Sequence, residues 1–151
     1  MEYKRYGDNG DLYRANAAEN EPKLKVIMEG DYRERHFVIG AHRGGYPNAY
    51  LEVKPTDTMI QEAKKYEDYE GNINRVYQGS SYFGKAYWDN SDSRTYVGWS
   101  YSGASSYCAR HPEFEGKKWR LIDILMEIAC AEDEIDTMNE NDPDYLNRLL
   151  E

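Results

Sequence analysis

The feature that most constrains the fold is a long apolar stripe near the C-terminus. From Lys118 to about Met138, apolar residues recur at spacings of three and four, which is the periodicity of one face of an α-helix. The members of the stripe are Leu121, Ile124, Leu125, Ile128, Ala131, Ile135 and Met138. Such a stripe must be buried against another element, so the pattern predicts a helix that faces the core.

Short segments with strand character precede this helix. Strands are predicted at 23–28, 35–40, 49–54, 74–78, 82–88 and 95–101. The first two form a hairpin around a turn at 29–31. A short helix is expected at Thr58, where Gln61 completes a capping box. Another is expected with Asp142 as its cap and Pro143 as its first residue. The fold class is therefore α+β: an antiparallel sheet of about five to six strands packed by a long C-terminal helix and one or two short helices.

The length of the chain, 151 residues, fits a single domain. Within it, residues 1–22 are polar and are predicted to form a loosely held arm with at most one short strand. Residues 23–110 are predicted to be mainly strands and 116–151 to be helical. Leu146, Leu149 and Leu150 give the last helix an apolar edge, which suggests a homo-oligomer formed through the C-terminal helices.

The net charge of -9 bounds the partners. Long-range repulsion disfavours direct binding to nucleic acid and to anionic membranes. No apolar run approaches a membrane span of roughly 20 residues, and the N-terminus lacks the apolar segment of a signal peptide, which predicts a cytoplasmic protein. Cys108 and Cys130 are accordingly expected to be reduced. The charge is uneven, because residues 71–125 carry +2 and the rest of the chain -11.

The strand at 95–101 has two interpretations. Its alternation places Val97, Trp99 and Tyr101 on one face and small residues on the other. In the first interpretation the bulky face is core and the bare face receives the long helix. In the second, the aromatic residues at the strand's end wall a cleft that cationic residues close, as binding a base and its phosphate requires. The candidate ligand residues are Arg43, Tyr46, Phe83, Trp99, Arg110 and His111.

Catalytic motifs are not found in the sequence. The three histidines show no zinc-site spacing, and there is no nucleophile elbow or glycine-rich phosphate loop. Cys108 with His111 as nucleophile and base, or two histidines acting on a phosphodiester, are alternatives. We expect no enzyme activity, no metal and no cofactor.

The segments FVIGAHRGGY at 37–46, VYQGSSY at 76–82 and YVGWS at 96–100, followed by the amphipathic helix, resemble a family of small phage-encoded accessory proteins. Gln78 stands where that family has a histidine and Ser100 where it has an acidic residue. The resemblance implies a phage anti-defence protein in the bacterial cytoplasm. One such group with a similar layout, the Thoeris antagonists, sequesters cyclic nucleotide-type signals.

Two functions follow as hypotheses. The first is sequestration of a small anionic nucleotide-type signal, without catalysis, by the candidate ligand residues. The second is inhibition of a host nucleic-acid-binding effector, of the anti-CRISPR type, by an acidic surface that mimics nucleic acid. The residues of that surface would be Asp123, Glu127, Glu132, Asp133, Glu134 and Asp136.

Overall fold

A computed structural model describes residues 2–14, 18 and 20–151 of the chain. One antiparallel sheet has six strands in the order β1-β2-β3-β4-β6-β5. The strands are β1 Glu2–Arg5, β2 Leu24–Tyr32, β3 Arg35–His42, β4 Tyr46–Val53, β5 Tyr82–Lys85 and β6 Thr95–Ser100. The helices are a 3₁₀ helix Asn9–Leu12, α1 Thr58–Ala63, α2 Leu121–Glu140 and α3 Tyr145–Leu150. The predicted α+β architecture is confirmed.

The long helix α2 supplies one side of the main core. Its predicted stripe is buried against the face of the sheet that carries Phe37, Ile39, Leu51 and Trp99. Leu12 is the last residue of the 3₁₀ helix that follows β1, and it is fully buried in the same core. The N-terminal segment is therefore attached at two places: β1 is the one short strand expected in the arm, and Leu12 is buried in the core. Positions 1, 15–17 and 19 of that arm lie outside the described residues.

The packing on the two faces of β6 differs from what the first interpretation predicts. The bulky face is core, as that interpretation states, but α2 packs on this same face together with Val97, Trp99 and Tyr101. The bare face receives an aromatic ring instead of a helix. A Cβ on Gly98 would lie 2.5 Å from the Cδ1 atom of Tyr50, so the glycine is required for the close approach of that ring.

A second, smaller core covers this opposite face of the sheet. It consists of Leu24, Val38, Tyr50, Ala86 and Tyr96, with Val26, Tyr82, Tyr87 and Trp88 packed around them. The segment after β5 turns across the sheet and delivers Tyr87 and Trp88 to this cluster. The predicted strand 82–88 therefore ends at Lys85.

The first hairpin turns later than predicted. Arg33 and Glu34 both have positive φ, 48° and 66°, as a tight turn of the hairpin type demands, and Tyr32 pairs with Arg35. Gly30, which suggested an earlier turn, lies inside β2 opposite Tyr3 of β1. A side chain there would collide with the backbone of β1, so this glycine serves strand pairing.

Three further local predictions are wrong. Residues 74–78 form no strand in the described structure, because the amides of this segment donate to carboxylates of α2 rather than to another strand. The N-cap residue of α1 is Asp57, not Thr58, and that of α3 is Asp144, not Asp142. The Thr58 hydroxyl donates instead to Asp142 at 2.8 Å, which ties α1 to the segment before α3.

Candidate functional site

A cleft of about 580 Å³ opens where β4 begins and β6 ends. We call it the Tyr46 cleft. Its lining residues are Gly44, Tyr46, Ser102, Gly103, Ala104, Ser106, Cys108, His111, Phe114 and Glu115. The volume lies within the range of small-molecule sites. Two parts of the chain form the cleft: the turn between β3 and β4, and the segment 102–115 that follows β6.

Tyr46 is held in place by His42. Their rings stack with centroids 4.8 Å apart and an interplanar angle of 8°. The Gly44 amide donates to His42 Nδ1 at 2.9 Å, so this nitrogen carries no proton. Burial, followed by the positive charges of Lys23, Arg43 and Arg14, lowers the pKa of His42 to about 4. The imidazole is therefore neutral near pH 7 and acts as a fixed support for the tyrosine ring.

The glycine pair at 44–45 joins the two halves of the cleft. Gly45 has a φ of +99°, and a Cβ there would lie 2.9 Å from Arg110 Cγ. Its carbonyl accepts a hydrogen bond from the Ala109 amide at 2.8 Å. Its own amide donates to the His42 carbonyl at 3.0 Å. Both glycine amides are thus engaged within the protein and are not available to bind an anion.

The outer wall carries an aromatic residue that the sequence analysis did not select. Phe114 is 67% exposed and lines the cleft. Its amide donates to the His111 carbonyl at 3.2 Å, which sets the turn of the exposed segment. His111 Nδ1 lies 3.6 Å from a Glu113 oxygen. The signal in the sequence was a lone phenylalanine among charged residues, which no strand or helix pattern explains.

The structure brings together only part of the predicted ligand set. Tyr46 and His111 line the cleft, and Arg110 contacts the turn at Gly45. Trp99 is only 1% exposed, and its Nε1 donates to the Tyr101 hydroxyl at 2.8 Å. The expectation that Trp99 walls a cleft is therefore wrong.

The two remaining predicted residues lie outside the lining of this cleft. Phe83 is on the edge strand β5, where its ring meets Tyr69 edge to face at 5.0 Å, and it packs against the main core. Arg43 is in the β3–β4 turn, and its amide donates to the Lys23 carbonyl at 2.8 Å.

The cysteines are free thiols, as predicted, and Cys130 is exposed on α2. The Cys108 thiol donates a hydrogen bond to the Gly44 carbonyl at 3.4 Å. Cys108 and His111 both line the cleft, but this hydrogen bond directs the thiol toward the turn.

A second cleft, of about 490 Å³, lies beside the N-terminus of α2. We call it the Trp119 cleft. Its lining residues are Asn9, Gly10, Tyr13, Tyr107, Ala109, Lys118, Trp119 and Arg120. The segment from Ser106 to Ala109 separates the two clefts and contributes lining residues to each.

The acidic residues of α2 bind other parts of the protein. Glu127 accepts hydrogen bonds from the Tyr101 hydroxyl at 2.6 Å and the Tyr77 amide at 3.1 Å. Glu134 accepts from the amides of Asn74 and Arg75. These carboxylates anchor the irregular segment before β5 to the helix.

The other four acidic residues of the predicted mimic surface also have internal partners. Asp133 pairs with Arg75 at 2.8 Å, Asp123 with Arg120 at 3.1 Å, and Asp136 lies 3.8 Å from Arg35. Glu132 is 2% exposed. A buried carboxylate cannot contact a partner's basic channel, so the assignment of Glu132 to that surface is wrong.

No protein-family model matches the chain, and comparison with curated proteins and with solved structures found no match. Among the described helices, none is long and apolar enough to cross a membrane.

Proposed function

We propose that the protein binds a small ring-bearing anion of the nucleotide type in the Tyr46 cleft and holds it without chemical conversion. The observation that carries the proposal is the Tyr46 ring, fixed by the neutral His42 in a cleft that the exposed Phe114 also lines. Flat aromatic surfaces that are already in place stack on a base at low entropic cost.

Arg110 and a hydroxyl group at the cleft support the anionic part of the proposal, against one carboxylate in the lining, Glu115. Arg110 directly precedes the lining residue His111 in the sequence, and its Cγ contacts the turn at Gly45. It is exposed and makes no ion pair among the described residues. A guanidinium group recognises phosphate in a planar, two-point manner. The hydroxyl of Ser102 supplies a further polar contact in the lining. In a protein of net charge -9, such a cation acts locally because distant surface charges are screened beyond about 8 to 10 Å.

Binding without conversion is supported by the state of the two groups that suggested catalysis. The thiol of Cys108 points to a backbone carbonyl, and His111 is in an exposed segment beside Glu113. A nucleophile and its base need a direct hydrogen bond in the reactive arrangement. The biological role we propose, resting on the resemblance above, is sequestration of a signalling molecule by a phage protein in the host cytoplasm.

Calorimetry with a panel of cyclic mono- and dinucleotides tests the proposal. We expect one member to bind with a Kd below about 10 µM, roughly -7 kcal/mol, and to be recovered chemically unchanged. Tyr46→Ala is expected to weaken that affinity about tenfold or more, as loss of a base–aromatic stack does. Tyr66→Ala, which removes an exposed ring beyond α1, serves as the matched control. If no panel member binds at that level, the function is wrong.

A further inference from the structure

Three aromatic rings in the Trp119 cleft are fixed by contacts within the protein. Tyr13 and Tyr107 meet edge to face, with centroids 5.3 Å apart. The indole Nε1 of Trp119 donates to the Ser106 hydroxyl at 3.0 Å, and the Trp119 amide donates to the Tyr13 hydroxyl at 2.7 Å. The rings come from distant parts of the chain, so the cleft is built by the fold. Its aromatic walls are in place before any ligand arrives.

The charged side chains that line this cleft are both cationic, and the Asp123 carboxylate lies beside one of them. Among the described residues, the charged side chains that line it are Lys118 and Arg120. Lys118 Nζ lies 4.4 Å from the Tyr107 ring centroid, and Lys117 Nζ lies 3.9 Å from that of Trp119. Neither lysine has a carboxylate within ion-pair distance in the described part of the chain. Arg120 forms an ion pair with Asp123 at 3.1 Å.

Among the described residues, Lys117 and Lys118 lie beside aromatic rings with no carboxylate at ion-pair distance, although the charge of Asp123 acts on Lys117. This arrangement is unexpected in a protein of net charge -9. The ring faces stabilise the ammonium groups but leave their remaining donors free for an external anion. The Tyr46 cleft differs, because Glu115 is in its lining. The Trp119 cleft is therefore the more strongly cationic of the two.

We propose that the Trp119 cleft is a second ligand site, which takes a planar ring joined to a dianionic group, as in a nucleoside monophosphate. The ring packs against Trp119 and Tyr107, and the dianion is held by Lys118 with Lys117 at the rim. This site is independent of the function proposed for the Tyr46 cleft, since it uses different side chains.

Tryptophan emission provides a direct test. Trp119 lines this cleft, whereas Trp99 is in the main core and Trp88 is on the opposite face of the sheet. We expect AMP to change the emission saturably, adenosine to bind about tenfold more weakly because it lacks the charge, and inorganic phosphate alone to leave the emission unchanged. The change should persist in Trp88→Phe and be lost in Trp119→Phe.

Substitution of the lysine separates this site from the Tyr46 cleft. Lys118→Gln is expected to weaken the affinity for AMP about tenfold or more. Two control variants should leave that affinity unchanged: Lys64→Gln, at an exposed position after α1, and Tyr46→Ala. The proposal is overturned if AMP has no effect on emission up to about 1 mM, where binding would be worth only about -4 kcal/mol. It is also overturned if Lys118→Gln binds AMP as tightly as the unmodified protein.

Discussion

The guanidinium of Arg35 donates a hydrogen bond to each oxygen of the Asp57 carboxylate, with Nη1 2.5 Å from Oδ2 and Nη2 2.9 Å from Oδ1. Asn139, near the end of α2, donates to the same carboxylate at 2.9 Å. Burial opposes ionisation of Asp57, but the hydrogen bonds and charge of Arg35 outweigh it and hold the pKa of Asp57 below its ordinary value. This buried group joins β3, α1 and α2.

Asp57→Ala should therefore destabilise the protein strongly. It leaves the Arg35 charge buried without its main partner, which costs about 3 to 5 kcal/mol. Urea unfolding followed by circular dichroism measures the effect. The exposed pair Arg5–Asp8 gives the comparison, since Asp8→Ala should cost no more than about 1 kcal/mol. Similar losses for both variants would contradict the structural role given to Asp57.

Glu132 should make stability fall as the pH rises. Burial, with the nearby Asp136, raises the pKa of Glu132 to about 7 against the opposing charges of Arg35 and Arg33. A carboxyl with a higher pKa in the folded chain holds its proton more tightly there. Its favourable contribution is complete below about pH 4.5 and is lost as the pH rises through about 7.

The variant Glu132→Gln tests the direction of this pH dependence of stability. The variant should be more stable than the unmodified protein at pH 8, by roughly 1 to 3 kcal/mol, and close to it at pH 5. Chemical denaturation at the two pH values gives the difference. An advantage that does not change with pH would show that the carboxyl is already ionised at pH 5.

His42 should titrate far below an ordinary histidine. Its pKa of about 4 follows from burial and three neighbouring cations, so its stabilising effect is complete above pH 6.5 and is lost as the pH falls through about 4. NMR titration of the imidazole protons measures the midpoint. A midpoint near 6.5 would mean that the support of Tyr46 is not the buried ring described above.

Gly98→Ala should destabilise the protein through the second core. The added methyl would lie 2.5 Å from the Tyr50 ring, and such overpacking costs about 1 to 3 kcal/mol. Gly10→Ala is the matched control, because a Cβ there meets nothing within 4 Å. Thermal unfolding of the two variants should separate them; equal stability would show that the ring moves aside freely.

Cys108 offers a way to block the Tyr46 cleft chemically. A bulky maleimide attached to Cys108 in a Cys130→Ser background should abolish ligand binding, since Cys108 lines the cleft. The same reagent on Cys130 in a Cys108→Ser background should leave binding intact, because Cys130 is on an exposed face of α2. Binding that survives modification of Cys108 would place the ligand elsewhere.

Periodicity predicted the parts of the fold that depend on burial. The α2 stripe and the strands around Phe37, Leu51 and Val97 repeat apolar residues with a fixed period, and each is in the core. The positions of turns were harder to predict. Gly30 and Gly98 serve the close approach of another strand or ring, and such a contact involves residues distant in the sequence.

The candidate site was predicted in part for a similar reason. Tyr46 and His111 were selected from local composition, and the cleft brings them together. Trp99 came from the same reasoning but faces the core, because its side of β6 is the one that α2 covers. The acidic residues of α2 looked like a charged surface, yet Glu127 and Glu134 receive backbone amides from a segment about 50 to 60 residues away.

The outermost strands of the sheet have a consequence for behaviour at high concentration. β1 and β5 have four residues each, β1 is exposed and carries Lys4 and Arg5, and the Tyr82 hydroxyl donates to the Lys85 carbonyl at the end of β5. Edge strands that are short, charged or already hydrogen-bonded within the protein offer a neighbouring molecule too few free backbone groups to add a strand. The sheet therefore resists growth into fibrils by edge-to-edge joining, even where many copies are crowded together.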